Sequence, residues 1–153
     1  MKRYFYVLLA VLLVAGISQA ATLKIGASPR PHAEILELIK PLAKAKGLDI
    51  VIIEFTDYVQ PNLALADGEI DANFFQHKPY LDSFSQDRKL ALSSLVAVHV
   101  EPMGAYSKKL KTLKDLKKGA SVGIPNDPTN GGRALLLLEK AGLIEVDKKA
   151  GVT

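Results

Sequence analysis

The residues best suited to chemistry lie in Pro125-Asn126-Asp127-Pro128-Thr129-Asn130-Gly131-Gly132-Arg133. A short apolar run, residues 120–124, precedes this stretch, and an apolar helical run from Ala134 follows it. The order predicts a strand, a turn and a helix start. Asp127 suits the N-cap and Pro128 the first helical position. Amide side chains, open backbone N–H groups and one arginine at a helix N-terminus favour an anion, a carboxylate or a phosphate. From this stretch alone, an ordinary capped helix with a solvated arginine stays open.

Other reactive constellations are missing from the sequence. The serines at 28, 83, 85, 93, 94, 107 and 121 lack a nucleophile-elbow context. His32, His77 and His99 have no short metal-ligand spacing, and Gly131-Gly132 is not followed by the Lys-Ser/Thr of a phosphate-binding loop. The chain has no cysteine, which excludes a thiol enzyme and a disulfide scaffold. The expectation is a non-enzymatic protein with no cofactor and no metal. Tyr58, Phe74, Phe75, His77 and Tyr80 instead offer apolar walls with polar tips. Strand alternation sends Phe74 and Phe75 to opposite faces, so one of the two belongs to the core. Asn126, Asn130 and Arg133 supply the polar, cationic side. An apolar wall facing an arginine fits a zwitterion such as an apolar amino acid, although a core role for these aromatics stays open as well.

These residues must be positioned by alternating strands and helices. Residues 22–27 predict a strand stopped by Pro29 and Pro31. Residues 32–46 predict a helix closed by Gly47, with a kink or break at Pro41. Residues 49–55 read as a strand buried on both faces. A cap at residues 56–58 leads into a helix over 59–67 that Gly68 ends. Residues 70–75 predict a strand, 79–89 a helix, and 90–100 a long strand that resumes briefly at 105–107. The lysines at 108, 109, 111, 114, 117 and 118, interspersed with Leu110, Leu113 and Leu116, predict a short amphipathic helix with a solvated lysine face. A strand over 120–124 and a helix over 128–140 complete the pattern. The class is α/β with a largely parallel sheet, in which ligands bind beyond the carboxyl ends of the strands. The exits at 28–32, 56–58 and 74–77 are therefore candidate ligand walls.

The first twenty residues predict an export signal. Lys2 and Arg3 precede an apolar run from Tyr4 to Ile17, and Ser18-Gln19-Ala20 forms a small-x-small cleavage site, with cleavage after Ala20 or Ala21. The protein is thus expected in the periplasm. Removing the segment takes Lys2 and Arg3 from a formal net charge of +4, so the basic balance belongs in part to the signal. No nucleic-acid signature remains.

Three motifs carry a family resemblance. Asp57-Tyr58-Val59-Gln60-Pro61-Asn62, Asp71-Ala72-Asn73-Phe74-Phe75-Gln76-His77-Lys78-Pro79-Tyr80-Leu81 and the 125–133 stretch resemble the methionine-binding lipoprotein (MetQ/NlpA) family, the substrate-binding components of methionine ABC importers. Residues 25–29 and 32–36 are similar to its opening segment, and the resemblance spans nearly all of 22–152. It implies a periplasmic-binding-protein-like (type II) fold of two lobes, each a mostly parallel sheet flanked by helices, with methionine clamped between them. It places a signal peptide at 1–20, lobe one at 21–102, and the crossover with the first part of an incomplete lobe two at 103–153. It implies that Tyr58, Phe75 and His77 wall the ligand side chain, and that Arg133 pairs with the α-carboxylate with Asn130 nearby. Tyr80 and Asn126 carry over more weakly. The implied ligand is L-methionine or D-methionine. The implied partner is the membrane permease/ATPase complex, with the binding protein a monomer. Binding of another apolar amino acid or a methionyl dipeptide, or a surface interaction role without transport, are the alternatives. Ala21 stands where the family carries its lipidated cysteine, so no lipid anchor is expected. Family members continue well past 153, so the chain is expected to be a fragment or a truncated reading frame. Gly131 also replaces a larger residue often found there.

Overall fold

Strand β1 (Ala21–Ala27) is the centre of a parallel sheet. It pairs with β2 (Leu48–Glu54) along its whole length, from Ala21 opposite Leu48 to Ala27 opposite Glu54. On its other side β3 (Ala72–Phe74) pairs with Ile25, Gly26 and Ala27. The computed structural model describes residues 21–147 and Lys149. The expected signal peptide lies outside the described residues.

Parallel neighbours require crossovers, and helices supply them. A π-type turn, Pro29–Ala33, with a cis Arg30–Pro31 bond, leads into α1 (Glu34–Lys44). Leu36 and Ala33 pack with Ile25, Ala27 and Ile50 to form the buried cluster, and Leu23, Leu48, Ile52, Ala72 and Phe74 close around it. Helix α2 (Gln60–Ala66) makes the second crossover. Its start is fixed by Asp57, whose Oδ1 accepts the N–H groups of Val59 at 2.7 Å and Gln60 at 2.8 Å. Gly68, at φ +75°, turns the chain out of it. Gly26 is needed where β1 passes under the next layer. A Cβ there would lie 2.7 Å from Ile70 Cδ1 and 2.9 Å from Phe55 Cε2.

The structure corrects two readings in this half. Strand β2 is not buried on both faces. It is an edge strand, with Ile50 inside and Val51 42 % exposed, because β3 joins the opposite side of β1. Helix α1 also runs through Pro41 to Lys44, so of the kink or break expected at Pro41 the break does not occur.

Compact packing divides the chain between Phe75 and Gln76. The second unit holds α3 (Lys78–Arg88) and α4 (Pro128–Lys140), which pack on one another. The expected strands over 90–100, 105–107 and 120–124 do not form. A strand cannot stand in water without a neighbour, and residues 90–107 and 120–125 join no sheet among the described residues. The expected lysine-faced helix shrinks to a single 3₁₀ turn, Leu113–Asp115, opened by a Thr112/Asp115 capping box. Leu113 is 50 % exposed, so no surface receives the leucine face that would hold a longer helix.

Asn62 and Asn73 tie α2 to β3. The Asn73 amide donates to Asn62 Oδ1 at 2.9 Å and to the Pro61 carbonyl at 3.2 Å, and Asn62 is fully buried. An Asn62→Ala exchange strips one acceptor from that amide. It should lower stability by about 1–3 kcal/mol in urea denaturation.

Candidate functional site

In the first unit the sheet order β2-β1-β3 reverses direction at β1. The carboxyl ends of β1 and β3 therefore flank a topological switch point, the usual ligand position in such sheets. Phe75 leaves β3 there and is buried. The ring of Tyr58, from the turn after β2, stands 6.0 Å from the Phe75 ring at 41°. Tyr58 is 51 % exposed, so one face of this aromatic pair looks outward. Phe74 points the other way, into the core cluster, and meets the buried His32 ring edge-on at 4.7 Å. Both rings are covered, Phe75 as a buried residue just past the end of β3 and Phe74 partly buried against the cluster around β1. His32 in turn holds Ser28, with Oγ 2.6 Å from Nδ1.

In the second unit two helix starts present the remaining residues. His77 is the N-cap of α3. Its Nδ1 accepts the Tyr80 N–H at 3.2 Å, which assigns the ring proton of the neutral imidazole to Nε2. That Nε2 is buried and has no hydrogen-bond partner among the described residues. Tyr80 is buried, 6.4 Å from His77 and 5.7 Å from Phe84 between ring centres. The cap went unread in the sequence. Pro79 misleads there, since proline favours the first helical position and so points to Lys78 as the N-cap, whereas the helix begins one residue earlier.

Asp127 caps α4 as expected. Its Oδ1 accepts the Asn130 N–H at 2.8 Å and the Thr129 hydroxyl at 2.9 Å, and its Oδ2 accepts the Asn130 amide at 3.1 Å. Held in this way, Asn130 turns its Oδ1 to Arg133, which donates from Nη1 at 2.9 Å. Nη2 donates to the Glu101 carbonyl at 3.1 Å, a contact with no sequence signal. Arg133 is thus oriented by two acceptors rather than loose in solvent. Asn126 is exposed in the turn before the cap and is not drawn into this chain of contacts. Gly131 is buried, and a Cβ there would lie 3.1 Å from the Pro125 carbonyl, so a larger residue requires that turn to shift.

Burial pushes the Asp127 carboxyl up, but the Asn130 N–H, the Asn130 amide and the Thr129 hydroxyl, with a smallest contribution from His77 that acts only when its ring is protonated, together outweigh it. The net shift is below the ordinary carboxylate range.

The structure therefore brings together Tyr58 with Phe75, His77 with Tyr80, and Asn130 with Arg133. The fold is of the α/β class, with a parallel sheet flanked by helices, and resembles about half of a MetQ-type periplasmic binding protein. A family model described as NlpA lipoprotein matches residues 23–153, and the chain belongs to that family. It is 48 % identical over 131 residues to the D-methionine-binding lipoprotein MetQ of Salmonella typhimurium, covering 85 % of this chain and 48 % of the relative. Among solved structures it is similar to a nutrient binding protein from Burkholderia cenocepacia bound to methionine. That match has a TM-score of 0.81 and 47 % identity, and covers 84 % of this chain and 54 % of the other. Lipoprotein Tp32 from Treponema pallidum gives a TM-score of 0.83 at 41 % identity, covering 87 % and 55 %. The chain spans about half the length of the relatives it matches.

Two outcomes follow from the caps. The depressed Asp127 carboxyl stabilises α4 fully above the ordinary carboxylate range of roughly 4, and that contribution disappears as pH falls through the folded-state value. Asp127→Ala should cost about 1 kcal/mol at neutral pH. Asp127→Asn should keep most of the cap and flatten the acid limb of a stability–pH profile. For α3, His77→Phe should speed hydrogen exchange at the Tyr80 amide, whereas His77→Asn, which retains an acceptor, should not.

Proposed function

We propose that this chain carries the ligand-recognition residues of a periplasmic solute-binding protein that captures methionine and delivers it to an ABC importer. The observation that carries the reading is the preset arginine. Arg133 uses Nη1 and Nη2 on Asn130 and Glu101, and its planar fork has further N–H donors for a carboxylate. The Tyr58–Phe75 pair supplies an apolar, polarisable wall suited to a thioether side chain. His77, with an unpartnered Nε2 donor, supplies a polar end. Tyr80 shapes the ground under His77, and Asn126 is the weakest contributor. The names of the Salmonella and Burkholderia proteins agree with this ligand.

In this reading the ligand is L- or D-methionine and the partner is a membrane permease/ATPase complex. The protein acts as a monomer and without catalysis, and lobe one extends to residue 102. Export places it in the periplasm. The absence of cysteine leaves no thiol for a lipid anchor.

Calorimetry settles the reading, using this sequence continued to the length of its relatives. Methionine should bind, and Arg133→Ala should weaken it more than tenfold, as expected for loss of a charge-assisted pair of about 1.5–3 kcal/mol. Undiminished binding would remove the carboxylate role. A larger melting shift with leucine or a methionyl dipeptide than with methionine would reassign the ligand.

A further inference from the structure

Charge is segregated along the chain. From Pro102 to Asn126 the sequence holds six lysines, at 108, 109, 111, 114, 117 and 118, and one acidic residue, Asp115. Elsewhere, once Lys2 and Arg3 leave with the export segment, acidic side chains outnumber basic ones. A patch of one sign on a chain otherwise of the other sign creates a local field that attracts an oppositely charged surface.

Local structure keeps these charges outward and uncompensated. Ser107 Oγ accepts the N–H groups of Lys109 at 3.1 Å and Leu110 at 3.0 Å, which closes one turn. Asp115 Oδ2 accepts the Thr112 N–H at 3.0 Å and the Thr112 hydroxyl at 3.1 Å, which closes the next. The carboxylate of the stretch is thereby turned to its own capping box. All six lysines are exposed, and none enters an ion pair among the described residues. Apolar groups stand among them. Leu110 and Leu113 are 36 % and 50 % exposed, and Tyr106 is 92 % exposed.

This mixture of side chains selects the partner. There is no arginine between Arg88 and Arg133, so the stretch has no planar fork for reading a shaped anion or a base edge. Lysines are point charges suited to a diffuse layer of phosphates. Leucine gains little in a nucleic-acid groove, whereas the boundary between headgroups and acyl chains takes ammonium groups, leucines and tyrosine together. A second copy of the chain would bring like charges face to face. No helix among the described residues is long and apolar enough to cross a membrane, so contact with a bilayer is peripheral.

We propose that residues 106–118 form a docking surface for an anionic phospholipid bilayer. The lysines meet the headgroup phosphates, and Tyr106, Leu110 and Leu113 rest at the edge of the acyl layer. None of the residues assigned to ligand recognition lies in this stretch, so the surface stands or falls apart from the ligand reading.

Co-sedimentation of the exported chain with vesicles tests it. Binding to phosphatidylcholine vesicles containing about a third phosphatidylglycerol should be about tenfold stronger than to phosphatidylcholine alone, and high salt should abolish the difference. Joint exchange of Lys108, Lys109 and Lys111 to Gln, or of Lys114, Lys117 and Lys118 to Gln, should each weaken binding about fivefold. Joint exchange of Lys40, Lys44 and Lys46 to Gln removes the same charge elsewhere and should leave binding unchanged. Leu113→Ser, with every lysine intact, should weaken it about threefold. Equal binding to both kinds of vesicle would overturn the proposal, as would an equal loss in the Lys40/Lys44/Lys46 variant, which would make overall charge the cause. Competition by inorganic phosphate at matched ionic strength would make the stretch a free-anion site instead. Tighter binding to duplex DNA than to the anionic vesicles, at equal phosphate concentration, would make nucleic acid the partner.

Discussion

Everything in the first unit depends on β1 having a parallel neighbour on each side. Parallel pairing forces each connection to cross over the sheet, so all three strands finish at the same end. That shared end is where Ser28, Tyr58 and Phe75 emerge. The residues that make this possible are small. Ala27 has no exposed surface, and Gly26 leaves room for Ile70 and Phe55 above it. A bulkier residue at either position would separate the layers before any site could form.

The second unit solves positioning by a different route. It has no sheet among the described residues, and its precision comes from helix starts. At both α3 and α4 the N-cap side chain closes the orphan N–H groups and also organises the chemistry next to it. In α4 the line runs from Asp127 through Asn130 to Arg133, each link a hydrogen bond of 2.8–3.1 Å. The stretch that resembles a simple capping sequence is therefore also the scaffold of the cation.

Much of this was legible in the sequence. Alternation of β-branched runs with helical runs located β1, β2, β3 and all four helices, and the Asp127-Pro128 pair marked the start of α4 to the residue. What could not be read was whatever depends on a neighbour distant in sequence. Edge and centre strands differ in partners, not composition, so β2 was misjudged. The runs at 90–100 and 120–124 have the composition of strands, yet composition cannot supply a partner. The lysine segment had helical spacing, but spacing holds a helix only where a surface takes its apolar stripe. The Glu101 carbonyl was invisible because any residue carries one.

The imidazole of His77 has a consequence for selectivity. Because one ring nitrogen is engaged as an acceptor by the Tyr80 N–H, the other is fixed in the opposite sense. Any group that meets it must bring a lone pair, as a carboxylate, a carbonyl or a thioether does, and an ammonium or amide N–H meets a hydrogen instead. Where His77 meets the ligand as proposed, the first turn of a helix imposes a polarity on it, and a solute presented the wrong way round is disfavoured without any steric clash.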